Sequence, residues 1–256
     1  MTNHDRQGQG VQMTGLRARI GVIVLSTSVT VEYELNRMVP DGVSVHVARC
    51  HFADTSRDEK EKETAFLDME DQIIRAAEQV AMVRPDIILF ACTIGSFLGD
   101  KNHHRDLADK MTRATGVPSI TTATAVIEAI QALELGKITL ISPYPQGMGV
   151  REKEILEAEI PGLRVLTMHH MGIIGSFEKN MIPPADTYRL ARETVDRKSD
   201  GLFISCTALP TMELIEPLEE DLHIPVISST QASLWACLRQ CRIRGRSGYG
   251  RLFELP

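Results

Sequence analysis

One segment of this chain occurs twice, and that repeat constrains the fold more than any other feature. RPDIILFACTIGS (Arg84–Ser96) is matched by KSDGLFISCTALP (Lys198–Pro210): a polar lead, an apolar strand, then Cys-Thr. Downstream, GVPSITTATAVIEAIQAL is matched by HIPVISSTQASLWACLRQ, and upstream RIGVIVLSTS is matched by KITLISPYPQ. Three matched segments in the same order imply two similar lobes related by a pseudo-two-fold axis. Two copies at so long a period are not a solenoid.

Within each copy, short apolar runs alternate with longer amphipathic ones. Arg19–Leu25, Val43–Ala48, Asp86–Ala91, Pro118–Thr121, Lys137–Ser142, Leu163–Met168, Asp200–Ser205 and Pro225–Ser228 read as buried strands, being short, rich in Ile, Val and Leu, and bounded by polar or Gly/Pro residues. Lys60–Val83, His104–Thr115, Ala123–Leu135, Arg151–Glu159, Asp186–Arg197, Thr211–Leu222 and Gln231–Gln240 read as helices. This alternation predicts an α/β fold of parallel sheets with helices on their faces. The expected division is a disordered lead over 1–17, a first lobe over 18–122 plus 228–242, a second over 123–227, and a solvated tail over 243–256.

Ligands of open α/β sheets bind beyond the carboxyl ends of the strands. Cys92 and Cys206 both follow a strand directly, so two-fold symmetry would bring the two thiols to one interlobe cleft, on opposite sides of a substrate. A thiol has an ordinary pKa near 8.5, so modest tuning lets it act as acid or base, and its thiolate is a strong nucleophile. Proton transfer between opposed thiols inverts a carbon centre; thiol addition to an activated double bond is the other chemistry open to the pair. A cysteine at a strand end is more often a small buried hydrophobe, and Cys50, Cys237 and Cys241 are read that way. Matched context sets Cys92 and Cys206 apart.

Other classes find little support. The net charge of −6 leaves no footprint for nucleic acid or an anionic membrane. No run approaches the roughly 20 apolar residues that span a bilayer, and the polar start MTNHDRQGQG lacks the apolar core of a signal peptide. Five widely spaced cysteines imply no disulfide framework, so a cytoplasmic protein with reduced thiols is expected. No Cys or His stands at zinc-ligand spacing from either repeated cysteine. The pairs His103–His104 and His169–His170 read mostly as solvated surface. No G-x-G-x-x-G or P-loop is present.

The segments RIGVIVLSTSVTVE, LFACTIGS, ISPY, LFISCTALP and PVISSTQASLWACLR resemble the maleate isomerase/arylmalonate decarboxylase branch of the aspartate/glutamate racemase superfamily, over roughly residues 18–240. The opening and the FISCTAL segment are most similar to the ectoine-utilisation proteins of that branch. The resemblance implies two Rossmann-like lobes with the active site between them, no metal and no organic cofactor. It places Cys92 and Cys206 on the two catalytic positions and Tyr144 on a tyrosine that binds substrate carboxylate. Thr93 and Thr207 fall where hydroxyl and backbone N–H groups grip carboxylate, and Ser26, Thr27 and Ser28 lie on the first strand-end loop. Without the resemblance, those three would be a helix cap for a segment starting near Val29, and Tyr144 a loop tyrosine anchored between prolines. Two positions depart from the maleate isomerases. Ser28 stands where a carboxylate-holding Asn is expected, and Ser176 aligns near a second such Asn. The decarboxylases have Gly in place of the first cysteine, so Cys92 argues against decarboxylation.

The expectation is therefore a cofactor-independent two-cysteine racemase or isomerase acting on a small carboxylic acid, an amino-acid derivative or a dicarboxylate, by proton transfer between opposed thiols. The alternative is maleate-type cis–trans isomerisation by addition, rotation and elimination. An arylmalonate-type decarboxylase and a non-catalytic small-molecule binder rank lower. The expected partner is the small carboxylate itself, with homo-oligomerisation as an added expectation from the family.

Overall fold

A computed structural model describes residues 16–255 apart from 57 and 101, so the expected disordered lead lies outside the described residues up to position 15. All eight predicted strands form. They are β1 (Ala18–Leu25), β2 (Val43–Cys50), β3 (Ile87–Phe90), β4 (Ser119–Thr121), β5 (Lys137–Ser142), β6 (Arg164–His170), β7 (Gly201–Ile204) and β8 (Val226–Ser228). They build two parallel four-stranded sheets of identical plan, β2-β1-β3-β4 and β6-β5-β7-β8. Registers correspond too: Ile20–Ile23 of β1 lie beside Ile87–Phe90 of β3, as Ile138–Ile141 of β5 lie beside Gly201–Ile204 of β7. All four residues of β3 and of β7 are buried, the continuous apolar run that a strand covered on both faces requires.

The helices are α1 (Thr30–Met38), α2 (Glu59–Leu67), α3 (Glu70–Ala81), α4 (Thr93–Phe97), α5 (His103–Thr115), α6 (Thr122–Ala132), α7 (Gln146–Glu159), α8 (Pro184–Thr194), α9 (Ile215–Leu222), α10 (Ser229–Gln240) and α11 (Arg251–Glu254). Strand order reverses beside the first strand of each sheet, which opens a crevice at the carboxyl ends of β1 and β3 and of β5 and β7. The segments leaving those four ends carry Thr27 and Ser28, Cys92, Tyr144, and Cys206. The repeated hydroxyl-rich corners serve as helix starts: Thr121 Oγ1 accepts from Thr124 N–H at the head of α6, and Ser228 forms a capping box with Gln231 at the head of α10. Helices α6 and α10 pack against each other, and Ser233 Oγ of α10 donates to Thr122 Oγ1 of α6 at 3.0 Å.

Three expectations change. The stretch Lys60–Val83 is two helices. α3 buries Ile73, Ala76, Ala77 and Val80, whereas α2 buries only Lys62 and Phe66 and turns over the cleft to contact α7. The tail is not solvated throughout, because Ile243, Leu252 and Phe253 are buried and Arg251 N–H donates to the Glu219 carboxylate. The histidine pairs are not surface: His104 is buried, and His170 Nδ1 meets Ser142 Oγ at 3.0 Å.

The lobes are tied by polar links that the repeat does not encode. Helix α1 begins at Thr30 with no side-chain cap of its own. Asn180, from the other lobe, supplies it: Oδ1 accepts from Val29 N–H (3.0 Å), Thr30 N–H (3.2 Å) and Thr30 Oγ1 (3.2 Å), while Nδ2 donates to the Thr27, Ser176 and Phe177 carbonyls. In return, Glu34 of α1 accepts from Met212 N–H at 2.8 Å and from Thr211 N–H, and burial pushes its carboxyl up to about 7. Asn180→Ala is expected to lower unfolding stability by about 3 kcal/mol, a lost cap plus orphaned buried donors. A denaturation midpoint equivalent to less than about 1 kcal/mol of loss would show that this amide does not hold the lobes together.

Candidate active site

Between the lobes lies a narrow cleft with a cavity volume of about 40 Å³, lined by residues from both. Of the sequence-predicted site residues, Thr27, Ser28, Cys92, Thr93, Tyr144, Ser176, Cys206 and Thr207 all line it. Ser26 does not: its hydroxyl accepts from Phe52 N–H at 3.1 Å and donates to Phe52 C=O, tying the ends of β1 and β2 together. The cleft also receives Lys179 and Asn180, which the sequence reading missed, and Phe66 from α2.

The matched cysteines are not equivalent. Cys92 has an ordinary extended backbone (φ −143°) and opens α4. Its sulfur accepts one N–H, from Gly95, and burial pushes the thiol up to about 12. A Cβ on Gly95 would sit 3.1 Å from that sulfur and 3.3 Å from Phe66, so glycine permits the close approach. Cys206 sits at φ +97°, a left-handed conformation that costs a non-glycine residue of order 1–3 kcal/mol. Its surroundings enforce the turn: Cys206 N–H donates to Ser229 Oγ at 3.0 Å, and Leu209 N–H to the Cys206 carbonyl at 3.2 Å.

That turn aims donors at the Cys206 sulfur. Ala208 N–H approaches it at 3.4 Å, with Leu209 N–H beside it, and the Tyr144 hydroxyl donates to it. Burial raises this thiol too, but the Lys179 ammonium, the Tyr144 hydroxyl and the two N–H groups all oppose the rise. Burial thus raises both thiols, which titrate as an interacting pair, but more groups favour the charged form at Cys206 than at Cys92, so Cys206 is the readier proton acceptor of the two. Burial holds the Tyr144 hydroxyl well above its usual range, so it remains a donor. Behind it, the fully buried Glu152 accepts from Ser205 Oγ at 2.6 Å and is pushed by burial up to about 8.

Both threonines line the cleft, and they also bond across it. Thr207 N–H donates to Thr93 Oγ1 at 3.2 Å, and Thr207 Oγ1 donates to the Ala91 carbonyl at 3.2 Å. The repeated Thr pair thus laces the two strand-end turns together across the pseudo-two-fold. Ser28 Oγ, by contrast, is buried in the cleft wall without a partner.

Ser176, Lys179 and Asn180 come from one turn between β6 and α8, whose residues Glu178–Met181 form a 3₁₀ helix. The turn is pinned from the first lobe by Asp54, which accepts from Ser176 N–H (2.7 Å) and Phe177 N–H (3.3 Å) and pairs with the buried Lys62. Among the described residues, no group of three or more His, Cys, Asp or Glu converges as metal ligands, and no helix is long and apolar enough to cross a membrane.

Two parallel α/β lobes that each present a thiol to one enclosed cleft define a two-cysteine site of the aspartate/glutamate racemase superfamily. The sequence profile described as arylmalonate decarboxylase matches residues 20–253, and the chain belongs to that family. A maleate isomerase from Nocardia farcinica is 28% identical over 251 residues, covering 94% of this chain and 96% of that protein. Among solved structures, a maleate isomerase from Pseudomonas putida S16 with maleate superposes at a TM-score of 0.86, with 21% identity over 93% of this chain and 98% of that one. A cysteine-to-serine variant of the Nocardia farcinica maleate cis–trans isomerase, carrying a covalently bound succinylcysteine intermediate, superposes at 0.83 with 24% identity over 92% and 98%.

Proposed function

We propose that this protein is a cofactor-independent cis–trans isomerase of a short unsaturated dicarboxylate of the maleate type. The observation that carries the proposal is the pair of inequivalent thiols in one cleft, with more groups favouring the charged form at Cys206 than at Cys92. In the reaction, Cys206 takes the Cys92 proton as the Cys92 sulfur adds to one alkene carbon. The electron pair of the double bond moves to the neighbouring carbon and onto its carboxylate. Cys206 then protonates that carbon, giving a succinyl thioether with a freely rotating single bond. After rotation, the Cys206 thiolate removes a proton from the same carbon, the C–S bond breaks, the trans alkene leaves, and the proton passes from Cys206 to the expelled Cys92 sulfur to restore the starting state. Atoms and charge balance around the cycle, and the chemistry asks only for a nucleophile and an acid/base.

The succinylcysteine in the Nocardia enzyme and the maleate in the Pseudomonas enzyme support this reading, as does the near full-length match to maleate isomerases. They are the reason to prefer it over the racemase chemistry that the same two thiols also suit. The Cys92 thiol separates it from single-cysteine decarboxylation. Proton NMR of maleate with the enzyme in D₂O containing a chelator is expected to show conversion to fumarate. Unchanged maleate together with α-proton exchange of an amino-acid derivative would replace isomerisation by racemisation.

Tyr144→Phe tests the support of the thiolate. The tyrosine hydroxyl donates to the Cys206 sulfur and so favours its charged form. Its loss raises that pKa by about one to two units, the scale of one hydrogen bond to a charged group. The acid limb of the kcat/KM profile is therefore expected to move to higher pH. An unmoved limb would mean that Tyr144 touches substrate alone.

A further inference from the structure

The cleft holds a buried cation whose support of the Cys206 thiol leaves most of its hydrogen-bonding capacity unused. Lys179 is 4% exposed, lines the cleft beside both cysteines, and stands with its ammonium 5.6 Å from the centre of the Tyr144 ring. Among the described residues, its nitrogen donates to one acceptor, the Ile174 carbonyl at 3.1 Å, and no carboxylate lies within ion-pair distance. The nearby acid, Asp54, is already paired with Lys62 and with two N–H groups. An ammonium has three N–H donors, so two of them are left for the cleft. A buried, unpaired ammonium is costly unless an anion meets it. Ser28 Oγ adds an unpartnered buried hydroxyl to the same wall.

We propose that Lys179 is a substrate-binding and specificity-determining residue. It takes one carboxylate of the substrate as a charge-assisted ion pair, with the Ser28 hydroxyl as a second contact within the same cleft. This deepens the isomerase reading by naming what demands a second carboxylate on the substrate. Burial, with the nearby Lys62 charge, lowers the Lys179 pKa, and the thiols and Asp54 offset only part of the fall, so an arriving carboxylate is what holds the ammonium charged. A carboxylate bound there lies next to the reacting alkene, where the same ammonium stabilises the charge that develops during addition.

The test uses calorimetric binding of unreactive ligands, which does not depend on turnover. Wild-type protein is expected to bind succinate at least tenfold more tightly than its monoamide. Lys179→Met is expected to weaken succinate binding roughly 30- to 100-fold, to leave the monoamide within about threefold, and so to abolish the preference. Lys179→Arg, which keeps the charge, is expected to retain part of it, and thermal melts of both variants separate misfolding from lost affinity. Full succinate affinity in Lys179→Met would overturn the inference. So would an unchanged affinity accompanied by a raised thiolate titration at 240 nm, which would assign the ammonium to Cys206 instead. Failure of wild type to prefer the dicarboxylate over the monoamide also overturns it. If succinate binding depends on Lys179 while maleate is not turned over, the isomerase reading fails and the dicarboxylate site stands.

Discussion

Serine in place of Cys92 is expected to abolish maleate turnover without leaving any adduct, whereas serine in place of Cys206 is expected to leave the succinyl adduct trapped on Cys92. The difference follows from the inequivalence of the two sites. Cys92, with one N–H on its sulfur and a pKa pushed up to about 12 by burial, is protonated until Cys206 removes its proton. Its hydroxyl replacement cannot add to the alkene, so turnover falls by about 10⁴ or more, the scale for loss of a nucleophile. Cys206, at the focus of Tyr144, Ala208, Leu209 and Lys179, is the group that moves protons in the proposed reaction. Without it, addition is slow and elimination slower still, and kcat falls roughly 10²- to 10⁴-fold, as for loss of a general acid–base. Intact-protein mass spectrometry after incubation with maleate reads both outcomes. An adduct on Cys206 in the Cys92→Ser protein would exchange the two roles.

The repeat made the fold legible because central strands of parallel sheets, buried on both faces, need uninterrupted apolar runs, as β3 and β7 have, while the half-buried edge strands β2 and β6 were visible from their flanking breaks. The cysteines were legible for the same reason: each ends a strand in matched context. What symmetry could not show is where it breaks. Nothing in FISCTAL announces that Cys206 adopts φ +97° while Cys92 stays extended, since both are followed by the same Thr. The bonds that the two threonines make to the opposite lobe were not legible either, because only three-dimensional placement brings those partners together. Lys179 and Asn180 lie in an aperiodic segment, SFEKNMIPP, where a lysine and an asparagine look like solvated loop. The one available signal was the short spacing from Ser176, which a single helical turn carries onto one face.

Asp54→Ala is expected to cost about 3–5 kcal/mol, because it strands the Lys62 ammonium, 1% exposed, without its partner. For a chain of this size that corresponds to a fall in Tm of roughly 10 °C. Burial alone would raise the Asp54 carboxyl, but Lys62 and the Ser176 and Phe177 N–H groups bring it below its usual value. The folded pKa is thus depressed. Its contribution to stability is complete above the unfolded value of about 3.9 and is lost as pH falls through the folded one. The variant is therefore expected to show a shallower acid limb in a stability–pH profile. Lys62→Met in the Asp54→Ala background removes the stranded charge, keeps an unbranched apolar chain beside the Phe52 and Phe66 rings over which the Lys62 ammonium stands, and should restore at least half of the loss. A double variant no more stable than Asp54→Ala would locate the loss in the two N–H bonds instead. Activity separates these roles further. Asp54 pins the turn that delivers Ser176, Lys179 and Asn180 to the cleft, so the double variant is expected to regain its Tm while its KM for the dicarboxylate stays raised.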